Sequence, residues 1–173
     1  LEHKRQLEAY SLPYRAYCGK EPFSEQTPAV ILEKAQKLLD HILTAYRPVV
    51  RIGLTGQMHG IVYYDAEGKA VSQLYTWQDG RGNLPYGDTT YAGHLGSHSG
   101  YGHVTDFYNR VNGLVPATAV GYCTIHDYLV MRLCNLTQAQ IHISNAASFG
   151  CFDLETGKST YDSKMAVVSD YCL

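Results

Sequence analysis

The chain has 173 residues, the length of one domain with a core of its own. Hydrophobic residues make up 45% and charged residues 17%, which is globular and not disordered composition. A formal net charge of −2 gives no electrostatic footprint for nucleic acid or an anionic membrane, and no apolar run has the length of a membrane span.

The opening Leu1-Glu2-His3-Lys4-Arg5 lacks the apolar centre of a signal peptide and does not begin with Met, so the natural start is expected upstream. Residues 6–17 read as extended and residues 19–28 as a loop. Pro28 then opens a helix, with Ile31, Ala35, Leu38, Ile42 and Tyr46 at helical spacing on one side and Pro48 as the stop. The β-branched run at 49–54 reads as a buried strand that empties into Thr55-Gly56-Gln57-Met58-His59-Gly60. Residues 61–64 and 71–76 read as strands joined by the turn Asp65-Ala66-Glu67-Gly68-Lys69. Eight glycines fall between residues 77 and 113, where only short helices are expected. Thr124 with Asp127 resembles a capping box ahead of the stripe Ile125, Leu129 and Leu133. Residues 141–143 read as a strand, and residues 152–158 as a hairpin. Helix, strand and hairpin in this order give an α/β or α+β class.

The five cysteines, Cys18, Cys123, Cys134, Cys151 and Cys172, are odd in number and form no C-x-x-C pair. Buried reduced thiols of a cytoplasmic protein are expected. Fifteen tyrosines against four phenylalanines supply flat apolar faces with a hydroxyl, which suit a carbohydrate and a half-buried strand equally.

Two constellations carry chemistry. A strand ending in Gly-Gln-Met-His-Gly presents polar side chains at the carboxyl edge of a sheet, where α/β folds bind ligands. Gln57 both donates and accepts, and His59 does either according to tautomer, as a polyol requires. The rival reading is a strand-end turn with a satisfied histidine. Trp77-Gln78-Asp79-Gly80-Arg81 sets the single indole of the chain, a platform for a sugar's C–H face, beside a carboxylate and a guanidinium. Its rival is an Asp79–Arg81 salt bridge. His94, His98 and His103 have spacing only loosely suited to a metal, with no acidic or cysteine partner, and no metal site is expected. No nucleophile elbow, Walker loop or G-x-G-x-x-G occurs.

The run Ile52-Gly-Leu-Thr-Gly-Gln-Met-His-Gly60 resembles the Gly-Gln-Met-His-Gly segment of the FGGY carbohydrate kinases. Thr76-Trp-Gln-Asp-Gly-Arg81 is similar to the family's following Trp-Gln-Asp-x-Arg element. Thr124-Ile-His-Asp-Tyr128 and Asn145-Ala-Ala-Ser-Phe-Gly150 resemble sedoheptulokinases in particular, while residues 1–30 match poorly. The resemblance implies the N-terminal, sugar-binding lobe of an actin-like, ribonuclease-H-type ATPase fold: α/β, a mixed sheet flanked by helices, over residues 1–173. It implies a sugar site at Gln57, Met58, His59, Trp77, Asp79, Arg81 and Tyr101, with no catalytic residue in this chain. Asp79 and Asp106 are expected to orient or support. The family's Asp-x-Gly-Thr phosphate turn does not occur here, and its catalytic base belongs to the other lobe. Hence ATP and Mg²⁺ are expected to bind mainly outside this chain, which resembles a fragment.

The implied activity is ATP-dependent phosphorylation of a ketose at a primary hydroxyl, of the sedoheptulokinase type. Its alternatives are a xylulokinase-type pentulose kinase, a non-enzymatic sugar-binding module and a purely structural domain. The expected partners are the ketose and ATP, with a homodimer as the assembly and neither nucleic acid nor membrane.

Overall fold

The computed structural model of the chain describes residues 8–161 and the backbone of residues 171–172. Within the segment read as a loop, a two-residue strand β1 (Glu25–Gln26) precedes α1 (Pro28–Ala45). Thr27 is extended at the helix N-cap, and Pro28 follows at a position where its missing N–H costs nothing. The apolar stripe forms, but only its first turns reach the core, through Ile31 and Leu32. Ile42 near the other end is 36% exposed.

Residues 49–54 form no strand, and Val50 and Ile52 are 85% and 60% exposed, against the expected buried strand. β-branched residues favour a strand only where a neighbour takes the backbone groups and covers the side chains, and among the described residues none does. The following hairpin forms as read. β2 (Val62–Tyr64) returns towards β3 (Leu74–Tyr75) through bridges at Tyr64↔Ala70 and Ile61↔Tyr75. Asp65 Oδ1 accepts the N–H groups of Glu67 and Lys69, and Gly68 takes the left-handed position at φ 72°.

The Gly-rich stretch holds a 3₁₀ turn at Gly80–Asn83, the small hairpin β4 (Pro85–Tyr86) and β5 (Thr89–Thr90), and the single turn α2 (Tyr91–His94). It also holds α3 (Gly102–Val111), ten residues long and thus more than the short helices expected. Packing outweighs the glycine at its start, because His103, Val104, Thr105, Asp106 and Asn109 are all buried. Then come β6 (Gly121–Cys123), α4 (Ile125–Leu133), β7 (Ile141–His142), α5 (Ile143–Ser148), the hairpin β8 (Phe152–Asp153) and β9 (Lys158–Ser159), and β10 (Tyr171–Cys172). Thr124 caps α4 as its spacing from Asp127 suggests: its Oγ1 accepts the Asp127 N–H, while the Asp127 carboxylate accepts the Thr124 hydroxyl and not its backbone N–H.

β1 pairs antiparallel with β3, and β2 with β6. With the Ile61↔Tyr75 bridge they make one antiparallel strip in the order β1, β3, β2, β6. β10 pairs with β7 in parallel, so the class is mixed α/β as expected. The core lies along this strip. Ile61, Val62, Tyr63, Leu74, Tyr122, Cys123, Met131 and Phe149 have no measurable exposure. A smaller cluster gathers Tyr91, Ala92 and Val104 with Tyr86 and Phe107. Of the cysteines with described side chains only Cys123 is buried, and Cys18 and Cys134 are exposed on loops, which corrects the expectation. The side chain of Cys172 lies outside the described residues. No described helix is long and apolar enough to cross a membrane.

Candidate functional site

The segment that follows residues 49–54 ends in a turn. His59 adopts φ 69°, a left-handed conformation that costs a non-glycine residue strain and collects at functional sites. Two contacts hold it there. Its Nδ1 lies 2.6 Å from the Ser148 carbonyl oxygen, and its ring stacks on Tyr101 with centroids 4.3 Å apart and planes 4° from parallel. A carbonyl has no proton to give, so Nδ1–H is the donor, and Nε2 is the polar atom left to a ligand, an acceptor whenever the ring carries a single proton. Gln57 donates from Nε2 to Gln26 Oε1 at 2.9 Å, which ties the segment to β1. Met58, between them, is 45% exposed.

Trp77 is 53% exposed, and its backbone abuts the segment that carries Tyr101. A Cβ on Gly100 would lie 1.9 Å from the Trp77 carbonyl oxygen, and Gly100 has φ 82°. Only glycine allows both that approach and that backbone angle. A Cβ on Gly102 would strike Phe149 and Ile61 at 2.6 and 2.7 Å and lie 3.2 Å from the His59 carbonyl oxygen. The fold therefore gathers His59, Trp77 and Tyr101 around residues 100–102, with Gln57 and Met58 on the segment that leads into His59.

Asp79 and Arg81 belong to the same neighbourhood but point inward, at 1% and 2% exposure. Arg81 binds both oxygens of Asp79, with Nε–Oδ1 at 2.7 Å and Nη2–Oδ2 at 3.1 Å. It also reaches Glu25 Oε1 at 2.7 Å and Asn109 Oδ1 at 2.6 Å, and it stacks over Tyr75 at 4.2 Å. Burial disfavours the charged guanidinium, but Asp79 and Glu25 outweigh it and hold the Arg81 pKa above its usual value. Asp79 further accepts the Ser24 N–H and caps the 3₁₀ turn through the Arg81 N–H. The salt bridge written as the rival reading is thus present, and in this conformation it takes up the polar groups of both residues.

Asp106, fully buried, accepts from Tyr63, Arg110 and Tyr161 and ties α3 to β2. The three spaced histidines do not converge. His94 stacks on Phe107, His98 meets Tyr101 edge-on, and His103 bonds the Gly150 carbonyl from inside the core. Burial holds the His103 pKa down to about 4, against weaker opposing effects of that carbonyl and Asp106.

Sequence reasoning missed Gln26, His126 and Ser148 as neighbours of the site. Ser148 and His126 stand in runs whose motif likeness was visible, but the contact of residue 59 with residue 148 has no local signature. What results is a partly exposed imidazole–phenol stack, with the Gln57 amide and the Trp77 indole on the adjoining segments, the chemistry that matches hydroxyl groups and C–H faces.

No protein-family model matches the chain. It is similar to the sedoheptulokinase of Mus musculus, 34% identical over 164 residues, which takes in 80% of this chain and 33% of that protein. It is also similar to the sedoheptulokinase of Homo sapiens, 37% identical over 134 residues, 64% of this chain and 27% of that one. The xylulose kinase of Staphylococcus xylosus is 34% identical over 77 residues, 43% of this chain and 16% of its own length. Among solved structures, the xylulose kinase of Rhodospirillum rubrum superposes with a TM-score of 0.71 at 20% identity, over 91% of this chain and 36% of its own. The gluconate kinase of Lactobacillus acidophilus gives 0.69 at 14% identity, over 89% and 35%. At these identities the two structures speak for the fold alone. The chain spans about a third of the length of the first curated relative it matches, and less of the second. Sequence likeness to two sedoheptulokinases and the shared sugar-kinase fold agree: the chain belongs to the FGGY carbohydrate kinases and corresponds to their N-terminal region.

Proposed function

We propose that the whole protein carrying this chain transfers the γ-phosphoryl group of ATP to a primary hydroxyl of a ketose, and that this chain supplies the sugar-binding lobe. The observation that carries the reading is the His59–Tyr101 stack, with Gln57 and Trp77 on the adjoining segments, in a chain that is 34% and 37% identical to sedoheptulokinases. In this reading Gln57, Met58, His59, Trp77 and Tyr101 face the sugar. Asp79 and Arg81 fix the segment from which Trp77 projects. His59 Nε2 accepts from a sugar hydroxyl, while its Nδ1–H stays with Ser148.

Neither Asp79 nor Asp106 is free to hold Mg²⁺. Asp79 is committed to Arg81, and Asp106 to Arg110 and two tyrosines. Among the described residues no three His, Cys, Asp or Glu side chains come together as a metal set. In this reading ATP and Mg²⁺ are held mainly by the remainder of the whole protein, and this chain's part is to orient the sugar. Phosphoryl transfer draws much of its acceleration from such positioning.

Likeness to sedoheptulokinases over longer stretches than to the xylulose kinase favours a heptulose over a pentulose. The test is a panel of ketoses, aldoses and glycerol with the full-length protein and Mg-ATP. We expect phosphorylation of ketoses, with sedoheptulose preferred to xylulose. Preference for an aldose or glycerol overturns the ketose assignment, and preference for xylulose overturns only the heptulose part.

A further inference from the structure

The runs Thr124–Tyr128 and Asn145–Ser148 have no part in the sugar contacts above, yet they meet directly behind them. Asn145 Nδ2 lies 3.0 Å from Asp127 Oδ1 and is also hydrogen-bonded to His126 Nε2. A carboxylate has nothing to donate, so it is the amide N–H that faces Asp127. The second N–H of the same amide then goes to His126 Nε2, which must accept, and the imidazole proton stays on Nδ1. That nitrogen lies 3.3 Å from Thr124 Oγ1, whose hydroxyl donates to Asp127 Oδ2 at 2.7 Å. Four side chains thus close a ring in which every donor is used once.

The ring touches the sugar-facing segment at both ends. His126 packs on Gly56, where a Cβ would come 3.1 Å from His126 Cβ and 3.3 Å from its Nδ1. On the other side, Ser148 donates to the Asn145 carbonyl at 2.7 Å and accepts His59 Nδ1–H at its own carbonyl, 2.6 Å away. Asn145 stands between Gly56 and His59, reaching the first through its side chain and the second through its backbone. Both nitrogens of His126 have side-chain partners, Thr124 on Nδ1 and Asn145 on Nε2.

We infer that His126 and Asn145 form a positioning couple that fixes the register of residues 56–59, and so the sugar geometry, from behind. What it positions rests on the kinase reading. That it is a closed ring does not.

The experiment uses the full-length protein and three variants: Asn145→Ala, His126→Gln and His126→Leu. Glutamine offers an acceptor to the Asn145 amide, whereas leucine fills similar space without one. With His126→Leu and Asn145→Ala, KM for the ketose should rise about tenfold while KM for ATP moves less than about twofold. His126→Gln should stay within about threefold of the parent for the ketose. Equal behaviour of Gln and Leu, or a joint rise of both KM values, overturns the couple as a positioning device. In the parent protein, ¹⁵N shifts should show His126 protonated on Nδ1 and bare on Nε2, and Asn145→Ala should move the His59 signals. The opposite tautomer, or an unmoved His59, overturns the inference even in a protein that phosphorylates no sugar. A parent inactive on every sugar sinks the kinase reading, and the ¹⁵N result then judges the ring by itself.

Discussion

The His59 imidazole lies flat against the Tyr101 ring, 4.3 Å between centroids, and joins two segments 42 positions apart in the chain. With the Ser148 carbonyl on Nδ1, the stack leaves His59 one free polar direction, Nε2. His59→Ala in the full-length protein should raise KM for the ketose roughly 3- to 100-fold, the range for a hydrogen bond lost without or with a buried partner left unpaired. ATP affinity should hardly change. Damage confined to ATP would put His59 at a different site.

Trp77 is the single tryptophan of the chain and half exposed beside that stack, so its emission reports on the site. Titration of the full-length protein with a ketose should shift or quench the Trp77 contribution, read as the difference between the parent and Trp77→Phe. An unresponsive Trp77 in a protein that binds the ketose would remove the indole from the sugar surface.

Gly100→Ala tests the joint between Trp77 and Tyr101. The added methyl would run into the Trp77 carbonyl, and φ 82° is itself strained for alanine. A loss of at least about 2 kcal/mol in unfolding free energy is expected. Trp77 emission should be altered before any denaturant is added. A neutral substitution would mean that the two segments separate easily.

Arg81→Ala leaves Asp79, at 1% exposure, without its counter-ion. Removing one partner of a buried pair costs about 3–5 kcal/mol, a large part of the stability of a typical domain. Lysine should rescue little, because it cannot bind both Asp79 oxygens while stacking on Tyr75. Chemical denaturation measures both, and a loss below about 1 kcal/mol for Arg81→Ala would show that the network is replaceable.

His103 gives a pH dependence with a defined sign. Its pKa is about 4 in the folded chain against an ordinary 6.5, so the unfolded chain takes up the proton first. The stability it contributes is therefore full above about pH 6.5 and is lost as the pH falls towards 4, to a total of roughly 3 kcal/mol. His103→Gln should flatten the stability profile over that window. A variant whose profile parallels the parent's would show that other groups set the acid limit.

The 173-residue chain by itself exposes Val50, Ile52 and Ile42. Such a surface favours association, and light scattering should show mass rising with concentration. Val50→Lys with Ile52→Lys should restore a single species. A monomeric parent would mean that the exposed run does not associate.

Much was legible in the sequence because it is local. Pro28 and the spacing of Ile31 onward set α1, Thr124 with Asp127 set the start of α4, and the turn at Asp65 with Gly68 set the first hairpin. In each case the groups that satisfy one another lie within a few residues. The motif likeness at residues 52–60 and 76–81 likewise pointed to the kinase family and to the neighbourhood of the site. Only the tertiary structure decided the rest. It left residues 49–54 without strand structure, because a strand's backbone needs a partner that β-propensity cannot supply. It turned Arg81 inward, because Glu25, Asn109 and Tyr75 meet there from distant parts of the chain. It also placed Ser148 on His59 and Asn145 on His126, since hydrogen bonds across 89 and 19 positions are settled by packing and not by spacing.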